Sequence, residues 1–129
     1  MSLSRQNILE ADDLKRRSVR VPEWGGEVYV RELTAMEAVV FDAWLYDNKD
    51  NKAEVASNYN AMLVMLSACD EGGNRIFEDS DLDVLRKKNP KAISKIAKAV
   101  EKLNKLGADD FEEAAKNSES GQTVASFSG

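Results

Sequence analysis

VRVPEWGGEVYVRELTAME, residues 19–37, combines two strand patterns, a turn and a helix start. Valines alternate with polar residues on both sides of the turn, which is the period-two pattern of half-buried strands. These valines are Val19, Val21, Val28 and Val30. The Gly25-Gly26 pair supplies the positive φ of a tight connection, and Pro22, which lacks an N–H donor, suits a strand end. Residues 19–31 therefore predict a β-hairpin.

A helix is predicted immediately after the hairpin, over residues 34–47. Thr34 and Glu37 have the spacing of a capping box, which marks a helix N-terminus. A surface helix needs an apolar stripe of only about 100°, but apolar residues here cover most of the circumference. They are Met36, Val39, Val40, Phe41, Ala43, Trp44, Leu45 and Tyr46. The helix is therefore either central to the core or shared between the core and a partner.

Four aromatic or large apolar residues of this helix are candidate contacts with a partner or a second copy: Phe41, Trp44, Leu45 and Tyr46. Trp24 in the hairpin turn has two interpretations, a residue folded back over the hairpin or an exposed anchor. Replacing Trp44 or Leu45 with Glu is expected to weaken self-association or partner binding, because a buried charge disrupts an apolar contact.

The rest of the chain is predicted to be mainly helical. A short helical turn over residues 4–14 is expected to pack Ile8, Leu9 and Leu14, and a core helix is expected over residues 53–69. A short helix around residues 82–85 and a longer one over 90–106 follow, the latter bounded by Pro90 and Gly107. A last short helix over 108–117 precedes a polar tail, residues 118–129. The expected fold is a mostly helical α+β domain, residues 1–117, with an N-terminal β-hairpin packed on about four helices.

Charge is strongly segregated along the chain, whose net charge is -5. Residues 32–85 contain twelve acids and three bases, whereas residues 86–105 contain eight bases and one acid. Lys95, Lys98, Lys102 and Lys105 form a stripe opposite the apolar face of the last long helix. This stripe is interpreted first as a solvated face and second as a contact with an acidic partner or another subunit. Nucleic acid comes last, because the net charge repels phosphate.

The sequence shows no catalytic constellation, and solvated faces explain its 23 acids. The chain has no histidine, which excludes Ser-His-Asp and Cys-His sites and the usual zinc sites. Cys69 is expected to be a small buried hydrophobe. Asp79, Asp81 and Asp83 have the spacing that opens an EF-hand loop, but the required glycine and glutamate are missing. No enzyme activity, cofactor or metal is expected. A membrane span and a signal peptide are not expected either.

The order of motifs resembles the tail assembly chaperones of lambda-like, long-tailed bacteriophages and prophages. The matching segments are ILEADDL (8–14), VRVPEWGG (19–26), VYVREL (28–33), NPKAISKIA (89–97) and EAAKNSE (113–119). The resemblance implies a non-catalytic protein in the bacterial host cytoplasm that coats and solubilises the tape measure protein, as an oligomer. It also implies a longer, frameshifted product that recruits tail tube subunits.

The sequence leaves two other classes of protein open. One is a structural protein of the virion, such as a head-tail connector or tail completion protein. The other is a small regulator that places the basic helix on nucleic acid, in which case binding weakens steeply with salt.

Overall fold

The computed structural model describes residues 1–106, which form five α-helices and a three-stranded antiparallel sheet. The elements are α1 (Arg5–Glu10), β1 (Arg16–Val21), β2 (Gly26–Arg31), α2 (Ala35–Asp47), α3 (Lys52–Ser67), β3 (Ala68–Cys69), α4 (Leu82–Leu85) and α5 (Pro90–Leu103). The predicted α+β class is confirmed. The helix predicted over 108–117 and the polar tail lie outside the described residues.

The hairpin forms as predicted, with β1 and β2 paired from Arg16 opposite Arg31 to Val21 opposite Gly26. One turn of 3-10 helix connects the strands, and Gly25 ends it with a φ of 72°. Only Gly25 of the glycine pair therefore needs the left-handed conformation. The alternating valines face the core, where Val19, Val21 and Val30 are buried.

α3 is the central helix of the domain, and every residue from 61 to 69 is buried. It packs against α2, α4, α5 and β2. The prediction of a helix up to Cys69 is wrong, because the chain leaves the helix at Ser67 and pairs with β2 as β3. Val64 is fully buried, because α3 is covered on both sides.

α5 lies along the hairpin, and two contacts fix its direction. Near its start, Lys95 Nζ lies 3.2 Å from a carboxylate oxygen of Glu23 in the hairpin turn. At its end, Asn104 Oδ1 accepts a 2.9 Å hydrogen bond from the Leu33 N–H, beyond the open end of the hairpin. The helix starts at Pro90 as predicted, but it ends at Leu103 rather than at residue 106.

α1 differs most from its prediction. Ile8 and Leu9 were expected to pack, but they are 59% and 63% exposed, and no residue of α1 is buried. Leu14, which follows the helix, is half-buried. The apolar side chains of α1 therefore contribute little to the core.

Candidate partner-binding surfaces

The inward face of α2 is built around Phe41, which is 1% exposed. Its ring centroid lies 5.9 Å from that of Trp44 in a stacked arrangement and 5.5 Å from that of Tyr59 on α3 in an edge-on arrangement. Trp44 and Leu45 are half-buried against the same core. Phe41 is thus a core residue of the chain, and a Glu at Trp44 or Leu45 would perturb the fold as well as any partner contact.

The outward face of α2 is also apolar, and we call it the α2 stripe: Met36, Val39, Val40, Ala43 and Tyr46. At 100° per residue these positions span roughly 120° of the helix, on the side opposite Phe41. Met36, Val39 and Tyr46 are 77%, 66% and 64% exposed, and Val40 is 47% exposed. Contiguous exposed apolar surface of this kind is typical of an interaction site.

Of the α2 stripe, only Tyr46 was among the candidate contacts predicted from the sequence. The predictions favoured aromatic side chains, and two of these, Phe41 and Trp44, turn inward. A helical-wheel plot would have shown two opposed apolar faces, one centred near Phe41 and one near Val39. It would not have shown which face meets the core.

A buried ion pair fixes the start of α2 against the sheet. Arg31, 4% exposed, donates to both carboxylate oxygens of Glu37, at 2.7 and 3.0 Å. Glu37 also accepts from the Thr34 N–H at 2.9 Å, and Thr34 accepts from the Glu37 N–H at 3.1 Å, so the predicted capping box is confirmed. Burial opposes ionisation of Glu37, but the hydrogen bonds from Arg31 and Thr34 outweigh it and lower the pKa of Glu37.

Further contacts hold Arg31 where the strand pattern predicted an outward polar residue. Its Nε donates to the carbonyl of Gly73 at 3.0 Å, and its backbone N–H donates to Ser67 Oγ at 3.1 Å. The turn that contains Gly73 and the first turn of α2 cover this face of the sheet. Arg31 therefore positions α2 and is not a partner contact.

A second surface lies beside the hairpin turn, and we call it the Trp24 groove. It encloses about 490 Å³ and is lined by Trp24, Ile76, Phe77, Asp81, Val84, Leu85 and Lys88. Trp24, Ile76 and Val84 are 39%, 51% and 55% exposed. Trp24 thus forms one wall of an open apolar groove.

The lysine stripe on α5 faces outward. Lys98 and Lys102 are exposed, whereas Lys95 is paired with Glu23. A hydrogen bond that the Glu23 backbone N–H donates to its own carboxylate and, next, the one from Lys95 lower the pKa of the Glu23 carboxyl group. Lys95 therefore helps to hold α5 on the hairpin turn, and the structure does not bring Lys98 or Lys102 into either apolar surface.

The described residues hold no cluster of three or more His, Cys, Asp or Glu side chains that would bind a metal ion. Asp79 and Asp83 are paired instead with nearby bases, Arg75 and Arg86. Cys69 is buried as predicted, and burial raises the pKa of its thiol, which disfavours the reactive thiolate. Among residues 1–106, no helix is long and apolar enough to cross a membrane.

Comparisons with known proteins agree with the resemblance of the motifs. Residues 4–117 match the model of the phage tail assembly chaperone family. No curated protein matches the chain. A solved structure, the tail assembly chaperone of bacteriophage HK97, is similar in fold, with a TM-score of 0.58 and 20% sequence identity over 76% of this chain and 94% of that one. The extent of the family match, nearly the whole chain before the polar tail, shows that this protein belongs to the phage tail assembly chaperone family.

Proposed function

We propose that the protein binds the tape measure protein during tail assembly and keeps it soluble, and that the α2 stripe is the surface that binds it. The observation that carries this proposal is the exposure of Met36, Val39 and Tyr46 on a helix whose opposite face is already buried. Family membership supports a role in tail assembly. The binding partner itself is inferred from the resemblance of the sequence.

The α2 stripe has the chemistry that such a partner needs. A long helical protein with apolar faces aggregates unless another apolar surface covers them. The α2 stripe presents four large exposed apolar side chains over about three turns, and a helix face of this length suits packing against a second helix. Because the Arg31–Glu37 pair and the Thr34 cap fix α2 on the sheet, the stripe is held ready for docking.

The proposal includes the remaining features that the resemblance implies. The protein acts in the bacterial host cytoplasm, without catalysis, as an oligomer of repeated copies along the tape measure protein. A longer product made by frameshifting adds the contact with tail tube subunits. Several copies with one weak apolar site each would bind a long filament tightly, because linked sites raise the effective concentration of one another.

The decisive experiment is co-expression of the tagged protein with the tape measure protein of the same phage or prophage. Wild type is expected to keep that protein soluble and to co-purify with it. The double variant Met36→Asp/Val39→Asp is expected to lose both effects while remaining folded by circular dichroism. The matched control Ala56→Asp/Asn60→Asp adds the same two charges at exposed positions of α3, and it should behave as wild type. Undiminished co-purification by the Met36→Asp/Val39→Asp variant would exclude the α2 stripe as the binding surface.

A further inference from the structure

The last turn of α5 lies beside α2, and two hydrogen bonds place it there. Asn104, which caps α5, accepts a 2.9 Å hydrogen bond from the N–H of Leu33, just before α2. Glu101 accepts a 3.0 Å hydrogen bond from the hydroxyl group of Tyr59, whose ring packs on that of Phe41 in α2. The segment that follows α5 therefore starts next to α2.

A Schellman motif ends α5 and turns the chain away from the helix axis. Lys105 has the left-handed conformation, with a φ of 58°, and its N–H donates to the carbonyl of Lys102 at 3.3 Å. The N–H of Leu106 donates to the carbonyl of Glu101 at 2.7 Å, and the Leu106 side chain packs on the core. The point at which the chain leaves α5 is thus fixed on the domain.

Residues 108–117, ADDFEEAAKN, come directly after this turn, and the sequence predicts a short helix for them. Four apolar residues fall within about 120° of a helical wheel at 100° per residue. They are Ala108, Phe111, Ala114 and Ala115. The four acids fall on the other side: Asp109, Asp110, Glu112 and Glu113. The predicted helix is therefore amphipathic, and its apolar face needs a surface to cover it.

The α2 stripe matches this segment in length and width. Ten helical residues are about 15 Å long at 1.5 Å per residue, which is also the length of α2 from Met36 to Tyr46, and both apolar faces span about 120°. Phe111 is five residues beyond Leu106, and five residues reach up to about 17 Å. Met36 is only three residues beyond Leu33, which Asn104 contacts, so Phe111 can reach the Met36 end of the stripe.

Charge also favours this position. The acids in the first turn of the segment start beside the exposed lysines Lys102 and Lys105 at the end of α5. Because the segment enters at the Met36 end, its last turn falls at the Tyr46 end, where Lys116 suits the exposed Asp47. Within residues 1–106, neither these two lysines nor Asp47 forms an ion pair.

We infer that residues 108–117 pack on the α2 stripe of their own chain and cover it until the tape measure protein displaces them. Phe111 is the one large apolar side chain of the segment, so this cover is weaker than a helix that fills the whole stripe. A competing cover lowers the apparent affinity for the partner according to the fraction of molecules that are open. The inference rests on the proposed function of the α2 stripe and adds its regulation.

Paramagnetic NMR of the full chain tests the contact without any partner. A nitroxide label is attached to Asn117→Cys, and the native Cys69 is buried. The label is expected to broaden the amide signals of Ala43 and Tyr46 at the end of the stripe. An equimolar mixture of spin-labelled protein with unlabelled, isotope-enriched protein should show no such broadening, because the contact is within one chain. No broadening in the labelled chain, or equal broadening in the mixture, would overturn the inference.

Phe111→Asp tests which side chain holds the cover. It places a charge against an apolar surface, so the broadening is expected to disappear. Its affinity for a helical fragment of the tape measure protein is expected to rise at least about threefold, because the open fraction increases. The matched control Ser120→Asp adds the same charge in the polar tail and should behave as wild type in both measurements. Unchanged broadening or unchanged affinity of Phe111→Asp would contradict the inference.

The two proposals fail in different experiments. Absence of broadening would overturn the cover and leave the α2 stripe as the binding surface. Undiminished co-purification by Met36→Asp/Val39→Asp would overturn the proposed function, whereas the contact within the chain would still be measured by the broadening in wild type.

Discussion

α2 and α5 both pack an apolar face against α3, but their outward faces differ in chemistry. The outward face of α5 carries the exposed lysines Lys98 and Lys102, which water solvates well. The outward face of α2 carries Met36 and Val39, which water solvates poorly. The same kind of inward packing is therefore combined with two different solvent-facing surfaces.

This difference supports the proposal that α2, and not α5, provides the surface for a partner. A lysine face needs no cover, and the ion pair on it between Lys95 and Glu23 is within the chain. An apolar outward face is unfavourable in an isolated protein and becomes favourable when another surface covers it. The comparison therefore supports the proposal that α2 binds the partner, and it indicates a structural role for α5.

Phe41→Ala tests how firmly the inward face of α2 is packed, and it has the largest expected effect. The side chain is 1% exposed and contacts two aromatic rings, so its removal is expected to lower the free energy of unfolding by about 3–5 kcal/mol. Urea denaturation would measure the change. Met36→Ala, at an exposed position of the same helix, should change it by less than about 0.5 kcal/mol. Similar effects of the two substitutions would show that α2 is not fixed on the core.

Glu37→Gln would test what orients α2. The side chains of Arg31 and Glu37 are only 5% and 14% exposed, so removal of one charge from the pair is expected to cost about 3 kcal/mol. Glu27→Gln, at an exposed position of β2, is the matched control and should have little effect. A loss as small as that of the control would mean that the pair does not hold α2.

The Arg31–Glu37 pair predicts that the free energy of unfolding depends on pH. Folding lowers the pKa of Glu37. The stabilisation of the fold by ionised Glu37 is therefore complete above the pKa of Glu37 in the unfolded chain, about 4.3. It decreases as the pH falls below that value and through the lowered pKa of the folded state. Wild type should lose stability more steeply than Glu37→Gln in this range, and parallel curves would contradict the assignment.

The sequence predicted the elements whose signals are local. α5 has a proline at its start and an apolar stripe with helical spacing, and α2 has a capping box, so both start where expected. β3 has only two residues, Ala68 and Cys69, and no periodicity distinguishes so short a strand from the end of a helix. The burial of Arg31 depends on the turn around Gly73, 42 residues later, which no local pattern shows.

The binding surfaces were predicted less completely for a related reason. The apolar excess on α2 left two interpretations open, a helix central to the core or one shared between the core and a partner. Both faces have similar chemistry, so the sequence does not show whether Phe41 or Val39 turns inward. The Trp24 groove combines residues from the hairpin turn, the segment after β3 and α4. Such a surface exists only after the chain has folded.

Lys98→Gln/Lys102→Gln tests whether the outward lysine face of α5 contributes to stability or binding, and it has the smallest expected effect. Both lysines are exposed, and neither forms an ion pair within residues 1–106. Their neutralisation is expected to change the free energy of unfolding by less than about 0.5 kcal/mol, and to leave assembly and tape measure binding intact. Binding by wild type should then vary little with salt, since apolar contacts are not screened. A loss of binding in the variant, together with steep salt dependence in wild type, would instead assign the partner to the lysine face, with α2 covered by something else.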